Sequence, residues 1–296
     1  MANLRDIRRR IKSVKNTAKI TKAMQMIAAA KMAKAQEQAT AGRRYAKELN
    51  RLLADLKDNL EDGGHPLMEE RDEGKELVLV ISTDRGLCGG LNTNLLKKVR
   101  TDVPQDAEIV TVGRKLRTSL AKSGSAMIAD FEVRDPVPFA EARPIAKLLT
   151  KKFLDGGYSR VRVAFNNFVS TLTQEPWVSQ LLPIEEAHVG GARRYEKGSA
   201  LPTDEGEERV SHDYLFEPSG KEVLSSLLPL YINFQVYQML LEARASEHSA
   251  RMVAMKSATD NAQQMVKDLD LEANKLRQAA ITSELLEITT AMKAME

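Results

Sequence analysis

Apolar residues recur at alternating steps of three and four at both ends of the 296-residue chain. This spacing is that of a heptad seam, and it predicts one long helix at each end. The N-terminal seam passes through Leu4, Ile7, Ile11, Val14, Ala18, Thr21, Gln25, Ala28, Met32 and Ala35 and continues to Leu60. The C-terminal seam passes through Ala245, His248, Met252, Met255, Thr259, Ala262, Val266, Leu269, Ala273 and Leu276, and then moves by one residue to Ile281.

The positions of the prolines support the same division into two helical ends and a different middle. All ten prolines lie between Pro66 and Pro229. Because proline removes a helix hydrogen bond and clashes with the preceding turn, the proline-free ends favour long helices. We therefore predict helices over residues 1–60 and 221–296, paired as an antiparallel coiled coil.

The middle of the chain alternates between strand and helix patterns. The run "KELVLVIST" at 75–83 is continuously apolar, as in a buried parallel strand, and "AEIVTVG" at 107–113 is similar. Helical patterns lie between the strands, and two more strands are expected before residue 186. The alternation predicts a Rossmann-like α/β domain over 75–186. Residues 187–220 are polar and turn-rich, and they predict a connecting loop.

Charge is distributed unevenly. Residues 1–50 carry 13 Lys or Arg against three acidic residues, whereas the rest of the chain has a net charge of −7. A basic arm of this kind favours an acidic partner, either a nucleic acid, a membrane surface or a protein. The alternative is a helix face that is merely solvated.

The search for chemistry is largely negative. Gly86, Gly89 and Gly90 follow the first strand, where glycines can cradle a phosphate, but neither the GxxxxGK[ST] nor the GxGxxG fingerprint is present. A tight turn is the simpler interpretation. The four histidines lack metal-ligand spacing, and the single cysteine, Cys88, excludes an internal disulfide. We therefore expect no catalytic, cofactor or metal site.

Two other functions stay open on this evidence. The basic N-terminal helix could bind nucleic acid as a zipper-type protein does, although its apolar seam continues through the basic segment. The α/β domain could instead belong to a nucleotide-binding enzyme. A salt-dependent shift of a DNA probe would support the first, and calorimetric binding of ATP or NAD by the domain would support the second.

Three blocks of sequence carry a family resemblance. They are "LRDIRRRIKSVKNTAKITKAMQMIAAAKM" near the N-terminus, "TDRGLCGGLN" in the centre, and "ASEHSARMVAMKSATDNA" followed by "ITSELLEI" near the C-terminus. In content, order and spacing the chain resembles the gamma subunits of bacterial F-type ATP synthases from end to end.

The resemblance implies a non-catalytic central rotor shaft. Its coiled coil would stand inside a ring of alpha and beta subunits, and its α/β domain would sit on the membrane ring of c subunits beside the epsilon subunit. The shaft would couple ion flow to ATP synthesis or hydrolysis. The implied location is peripheral, on the cytoplasmic face of the bacterial plasma membrane, with no cofactor, nucleic acid or direct small-molecule substrate.

The resemblance also implies two sets of contact residues. Those facing the catalytic head are Lys22, Met24, Arg251, Gln278, Thr282 and Glu284. Those facing the membrane ring are Tyr214 and Glu217. Because Arg251 is one residue off the seam position Met252, we expect its side chain on an outer face of the helix pair.

The C-terminus departs from the family pattern. The chain ends "EITTAMKAME", with Thr289 and Thr290 where relatives commonly have glycines. Threonine restricts the backbone more than glycine does, so a stiffer helix tip is expected.

The basic N-terminal face generates a prediction. Replacing Arg8, Arg9 and Lys12 with glutamine should weaken assembly with an acidic partner surface, since the attraction loses three charges. Assembly and coupled ATPase activity should both be lower than in the parent, and screening of the remaining attraction should lower them further as the salt concentration is raised. Unchanged assembly and activity across the salt range would show that this face is only solvated.

Overall fold

A computed structural model of the chain describes residues 4–58, 65–184, 217 and 219–295. Its elements in chain order are α1 (Leu4–Asp58), β1 (Lys75–Ile81), α2 (Leu91–Asp102), β2 (Glu108–Val112), α3 (Arg114–Lys122), β3 (Ala126–Phe131), α4 (Phe139–Leu154), β4 (Tyr158–Phe168), β5 (Gln174–Leu182) and α5 (Gly220–Met295).

The strands form one sheet in the order β3-β2-β1-β4-β5. Strands β1 to β4 pair in parallel, and β5 runs antiparallel to β4. The order of the first four strands, 3-2-1-4, is that of the first four strands of the Rossmann fold. This arrangement, with a long helix at each end of the chain, confirms the predicted fold class.

The central strand β1 explains why the sheet is covered on both faces. Leu77 and Leu79 point into one apolar cluster, whereas Val78 and Val80 point into another, because successive side chains of a strand alternate between faces. All four are fully buried. Burial on both sides requires apolar residues at every position, as the continuous apolar run predicted.

Different helices cover the two faces. The cluster around Leu77 includes residues of α1, α4 and α5, and the cluster around Val78 includes residues of α2 and α3. The long terminal helices thus contribute to the core of the α/β domain as well as to the coiled coil.

One strand differs from the sequence expectations. The edge strand β3 was not predicted; its six residues are partly or fully exposed and lack the apolar run that marked β1.

Helix α5 includes Pro229, which lies within the helix predicted over residues 221–296. Leu228, Tyr231 and Ile232 around this proline are buried, and their packing offsets the lost hydrogen bond.

The chain divides into two compact units. One consists of Met1–Ile27 with Met252–Glu296, and the other of Ala28–Arg251. In the first unit Ile7 and Ile11 pack with Leu269, and Thr21 contacts Thr259. Residue numbers increase along α1 in the direction in which they decrease along α5. The pair is therefore antiparallel, as the seams predicted.

The C-terminal tip of α5 carries an uncovered apolar stripe. Ile281, Leu285, Ile288 and Met292 are each at least half exposed. The helix continues to Met295, and the Thr289 and Thr290 hydroxyls donate to carbonyl oxygens of the preceding turn. Within the part of the chain that the structure describes, no helix combines the length and apolar character needed to cross a membrane.

Candidate functional site

Helix α5 crosses the carboxyl-terminal ends of β1 and β4. Every residue from 239 to 249 is buried, including six polar or charged ones. Glu242 accepts a hydrogen bond from the Phe168 backbone N–H, and the Ser246 hydroxyl donates to the Asn166 carbonyl at 2.9 Å. We call α5 residues 239–251, with the loops that they contact, the junction.

The loop after β1 forms one wall of the junction and is tied together by its own side chains. Asn92 donates to the Thr83 hydroxyl at 2.8 Å and lies 3.4 Å from the Cys88 sulfur, and the Thr83 hydroxyl donates to the Arg85 carbonyl. Gly89 has a φ of 60°, in the region where glycine avoids strain. The "TDRGLCGGLN" segment is therefore a fixed turn that presents its acidic residue and its carbonyls to α5.

A buried arginine joins this loop to α5. Arg244 donates to Glu247 at 2.7 Å, to Asp84 at 3.1 Å and to the Val133 carbonyl at 2.7 Å. Its side chain is 8% exposed. Burial lowers the pKa of Arg244, but the carboxylates of Glu247 and Asp84 outweigh burial and raise its pKa above the ordinary value. The two acids thus hold the guanidinium in its charged form.

Arg251 reinforces the same network. It donates to Glu247 Oε1 at 2.7 Å, whereas Arg244 bonds Glu247 Oε2, so each carboxylate oxygen has one arginine. Its guanidinium also reaches the Gly86 carbonyl at 3.4 Å. The side chain is only 11% exposed, so the expectation that it lies on an outer face is wrong. Hydrogen bonds to backbone carbonyls in the loop after β1 hold the Arg251 side chain against the domain.

His248 connects the junction to α1. Its Nε2 lies 3.1 Å from Asp135 Oδ2, off the direction of a well-formed hydrogen bond, and the same oxygen accepts a hydrogen bond from Lys31 of α1 at 2.7 Å. His248 lowers the pKa of Asp135, burial opposes this, and Lys31 lowers it further, leaving the pKa well below its ordinary value. Asp135 is therefore a carboxylate that ties two helices to one loop.

Cys88 is part of the wall rather than a reactive group. The residue is 2% exposed, and burial raises the pKa of its thiol. A thiol that stays protonated is a poor nucleophile.

The junction occupies the edge where open α/β sheets usually bind ligands, outside the carboxyl ends of the strands. Here Arg244 and Arg251 fill the space above the glycine turn, and their donors bond to the chain's own carbonyls and carboxylates. This packing favours a structural junction over the phosphate cradle that the glycines could have formed.

The structure distributes the predicted contact residues between the two units. Lys22, Gln278, Thr282 and Glu284 are exposed in the first unit, where Met24 is half-buried. Glu217 is exposed in the second unit, and Tyr214 lies outside the described residues.

Sequence reasoning missed the junction residues Asp84, Arg244 and Glu247. A signal was present, since Asp84 and Glu247 lie inside two of the conspicuous sequence blocks and Arg244 immediately precedes one of them. Charged residues within a fully buried helical segment require partners of opposite charge or hydrogen-bond acceptors. The sequence alone does not identify which residues those partners are.

Comparison with known proteins places this arrangement in one family. A family model described as ATP synthase matches residues 3–295. The "ATP synthase gamma chain" of Akkermansia muciniphila is 49% identical, and the alignment covers all of both chains. The protein of the same name from Opitutus terrae is 47% identical over 99% of each.

Solved structures share the fold. A chain of the Euglena gracilis mitochondrial ATP synthase rotor has a TM-score of 0.63 at 19% identity, covering 94% of this chain and 98% of its own. A chain of the central stalk and c-ring of the Tetrahymena thermophila mitochondrial ATP synthase has a TM-score of 0.56 at 23% identity, covering 81% and 99%.

The junction generates a stability prediction. Arg244→Ala leaves the buried Glu247 with one arginine fewer and should lower the free energy of unfolding of the full chain by about 3–5 kcal/mol. Chemical denaturation measures the change. Arg134→Ala is the matched control, since Arg134 also pairs with a carboxylate, Glu141, but its side chain is 78% exposed. The control substitution should lower the free energy of unfolding by no more than about 1 kcal/mol.

Equal losses in Arg244→Ala and Arg134→Ala would contradict the assignment. That result would mean that the buried network adds no more to stability than a surface ion pair.

Proposed function

Since the chain belongs to the ATP synthase gamma chain family, we propose that it is the central rotor shaft of its complex. The shaft couples ion flow through a membrane ring to the synthesis and hydrolysis of ATP in a catalytic head. The observation that carries this proposal is the junction, which fastens the α/β domain to a helix that is continuous from Gly220 to Met295.

A rotor needs such a fastening because torque applied to the domain must reach the helix. Arg244 bonds α5 to the loops after β1 and β3, and Ser246 bonds it to the end of β4. Lys31 and Asp135 add α1 to the same network. A domain held at several strand ends cannot turn about the helix unless these bonds break together.

The partners follow from the same proposal. The helix pair engages the alpha and beta subunits, and the α/β domain engages the epsilon subunit and the ring of c subunits. The basic charge of residues 1–50 suits an acidic surface on the head. Lys22, Met24, Gln278, Thr282 and Glu284 are the proposed head contacts, and Tyr214 and Glu217 are the proposed ring contacts.

Arg251 acts differently in this proposal. Its guanidinium is bonded to Glu247 and faces the β1 loop, so it serves the head indirectly by holding α5 in place. The exposed stripe at Ile281, Leu285 and Ile288 is the surface that rests inside the head. Apolar residues on a tip enclosed by other subunits are removed from water on assembly.

The chain itself is proposed to carry no active site. ATP chemistry takes place in the partner subunits, and the shaft changes their conformation as it turns. The proposed location is peripheral, at the cytoplasmic face of the bacterial plasma membrane, where the α/β domain rests on the ring.

Purification of the tagged chain from its native membrane tests this proposal. The alpha, beta, epsilon and c subunits should co-purify with it, and the preparation should pump protons when ATP is added. Recovery of the chain alone, or with an unrelated set of proteins, would contradict the proposal.

The head contacts give a second test in the same complex. Joint replacement of Gln278, Thr282 and Glu284 with alanine should leave the melting temperature of the chain unchanged, because all three are exposed. Proton pumping per ATP hydrolysed should fall. The control is Glu272→Ala, another exposed residue of α5. Full pumping in the triple variant would remove these residues from the contact surface.

A further inference from the structure

Helix α3 begins at the carboxyl edge of the sheet without a capping side chain of its own. Gly113 precedes its first residue and has a φ of 88°. A Cβ at this position would lie 2.3 Å from the Ser82 carbonyl oxygen, so only glycine fits. The first four N–H groups of a helix have no hydrogen-bond partner within it. In α3 their partners must therefore come from other elements.

The residues that follow β1 supply these partners. The Leu116 N–H donates to the Ser82 hydroxyl at 3.2 Å, and the Lys115 N–H donates to the Thr83 carbonyl at 3.0 Å. The hydroxyl group of a serine caps a helix in this way when it lies just before the helix in the chain. Here the cap comes from a loop about 30 residues earlier in the sequence.

The next residue of the same loop, Asp84, bonds two helices. Its Oδ1 accepts a hydrogen bond from the Arg114 N–H of α3 at 3.3 Å, and its Oδ2 accepts one from Arg244 of α5 at 3.1 Å. The N-terminus of a helix carries a partial positive charge, which a carboxylate stabilises. Each oxygen of one carboxylate is therefore directed at a different positive group.

We infer that Asp84 is a positioning residue, which fixes the N-terminus of α3 relative to α5 by bonding both at once. This role goes beyond the proposed rotor function and does not depend on any partner subunit. In sheets that bind nucleotides, a phosphate lies at a helix N-terminus on the same edge. In this chain a carboxylate of the loop takes that place, and a side chain of α5 provides its second contact.

The role requires a carboxylate and not just a polar side chain of the same size. Both partners of Asp84 are donors, and an ionised carboxylate offers only acceptors. Asparagine offers one acceptor oxygen and one donor NH2 group. Whichever way its amide is turned, one donor would face another.

Thermal melting of the full chain tests this requirement. Asp84→Asn and Asp84→Ala should both melt several degrees below the parent. Asp106→Asn is the matched control, since Asp106 is an exposed aspartate of the same domain, and it should melt like the parent. An Asp84→Asn variant that melts at the temperature of the parent would show that any acceptor suffices, which would overturn the proposal.

Formate tests whether the lost group acts as an anion between two helices. The side chain of Asp84 is 25% exposed, so formate can enter from solvent when Asp84→Ala removes the carboxylate. Melting would be measured in sodium formate and in sodium chloride of equal concentration. Formate should raise the melting temperature more in Asp84→Ala than in the parent, because an anion that binds only the folded chain stabilises it.

The Asp84→Ala, Arg244→Met double variant is the control for this rescue. It should lose the formate-specific gain, because formate no longer has its arginine. An equal gain in the parent and in Asp84→Ala, or a gain that persists in the double variant, would overturn the proposal.

Hydrogen exchange followed by mass spectrometry tests whether α5 acts on α3 through Asp84. Arg244→Met removes the bond between Asp84 and α5 while leaving the residues of α3 unchanged. Exchange in the first turn of α3, measured relative to α4, should become several-fold faster. Ser246→Ala removes a different buried bond of the junction, to the end of β4, and should leave this ratio unchanged. A ratio that is unchanged in Arg244→Met, or that rises equally in Ser246→Ala, would overturn the proposal.

Discussion

Burial of charge on α5 is the constraint on which the rest of the structure depends. Arg244 and Glu247 are almost fully buried, and charges in such a position are tolerated only when they are paired and hydrogen-bonded. Their partners are Asp84 and the Val133 carbonyl, which lie on the loops after β1 and β3. The helix therefore has a defined position along its axis and around it, which an apolar face alone would leave less certain.

This constraint also explains why a nucleotide-type sheet serves a mechanical role. The carboxyl edge of a parallel sheet collects loops whose glycines and backbone groups can bind a ligand. In this chain the same loops bind two arginines of its own helix. The fold is that of a ligand-binding domain, whereas the occupant of the edge is a structural element, so the fold alone would have indicated the wrong activity.

The sequence predicted those features that follow from local periodicity. The heptad seams located the paired helices, and the continuous apolar run located β1, because both patterns depend only on which faces are buried. Strand β3 was not predicted because an exposed edge strand has no continuous apolar run. The inward position of Arg251 was not predicted because it depends on carbonyl groups about 165 residues away in the chain. Helical periodicity carries no information about such distant contacts. The junction residues were visible in the motifs, but their partners became apparent only in three dimensions.

The central claim is that the junction makes the α/β domain and α5 turn as one body. Direct observation of rotation is the most direct test of this claim. A fluorescent probe would be attached to a cysteine at Lys122 on α3, in a Cys88→Ala background, with the complex immobilised through its catalytic subunits. During ATP hydrolysis the probe should rotate in one direction through full turns, and Arg244→Ala should widen its angular fluctuations at each pause. A probe that stays still while ATP is hydrolysed, or fluctuations that are unchanged in Arg244→Ala, would contradict the account.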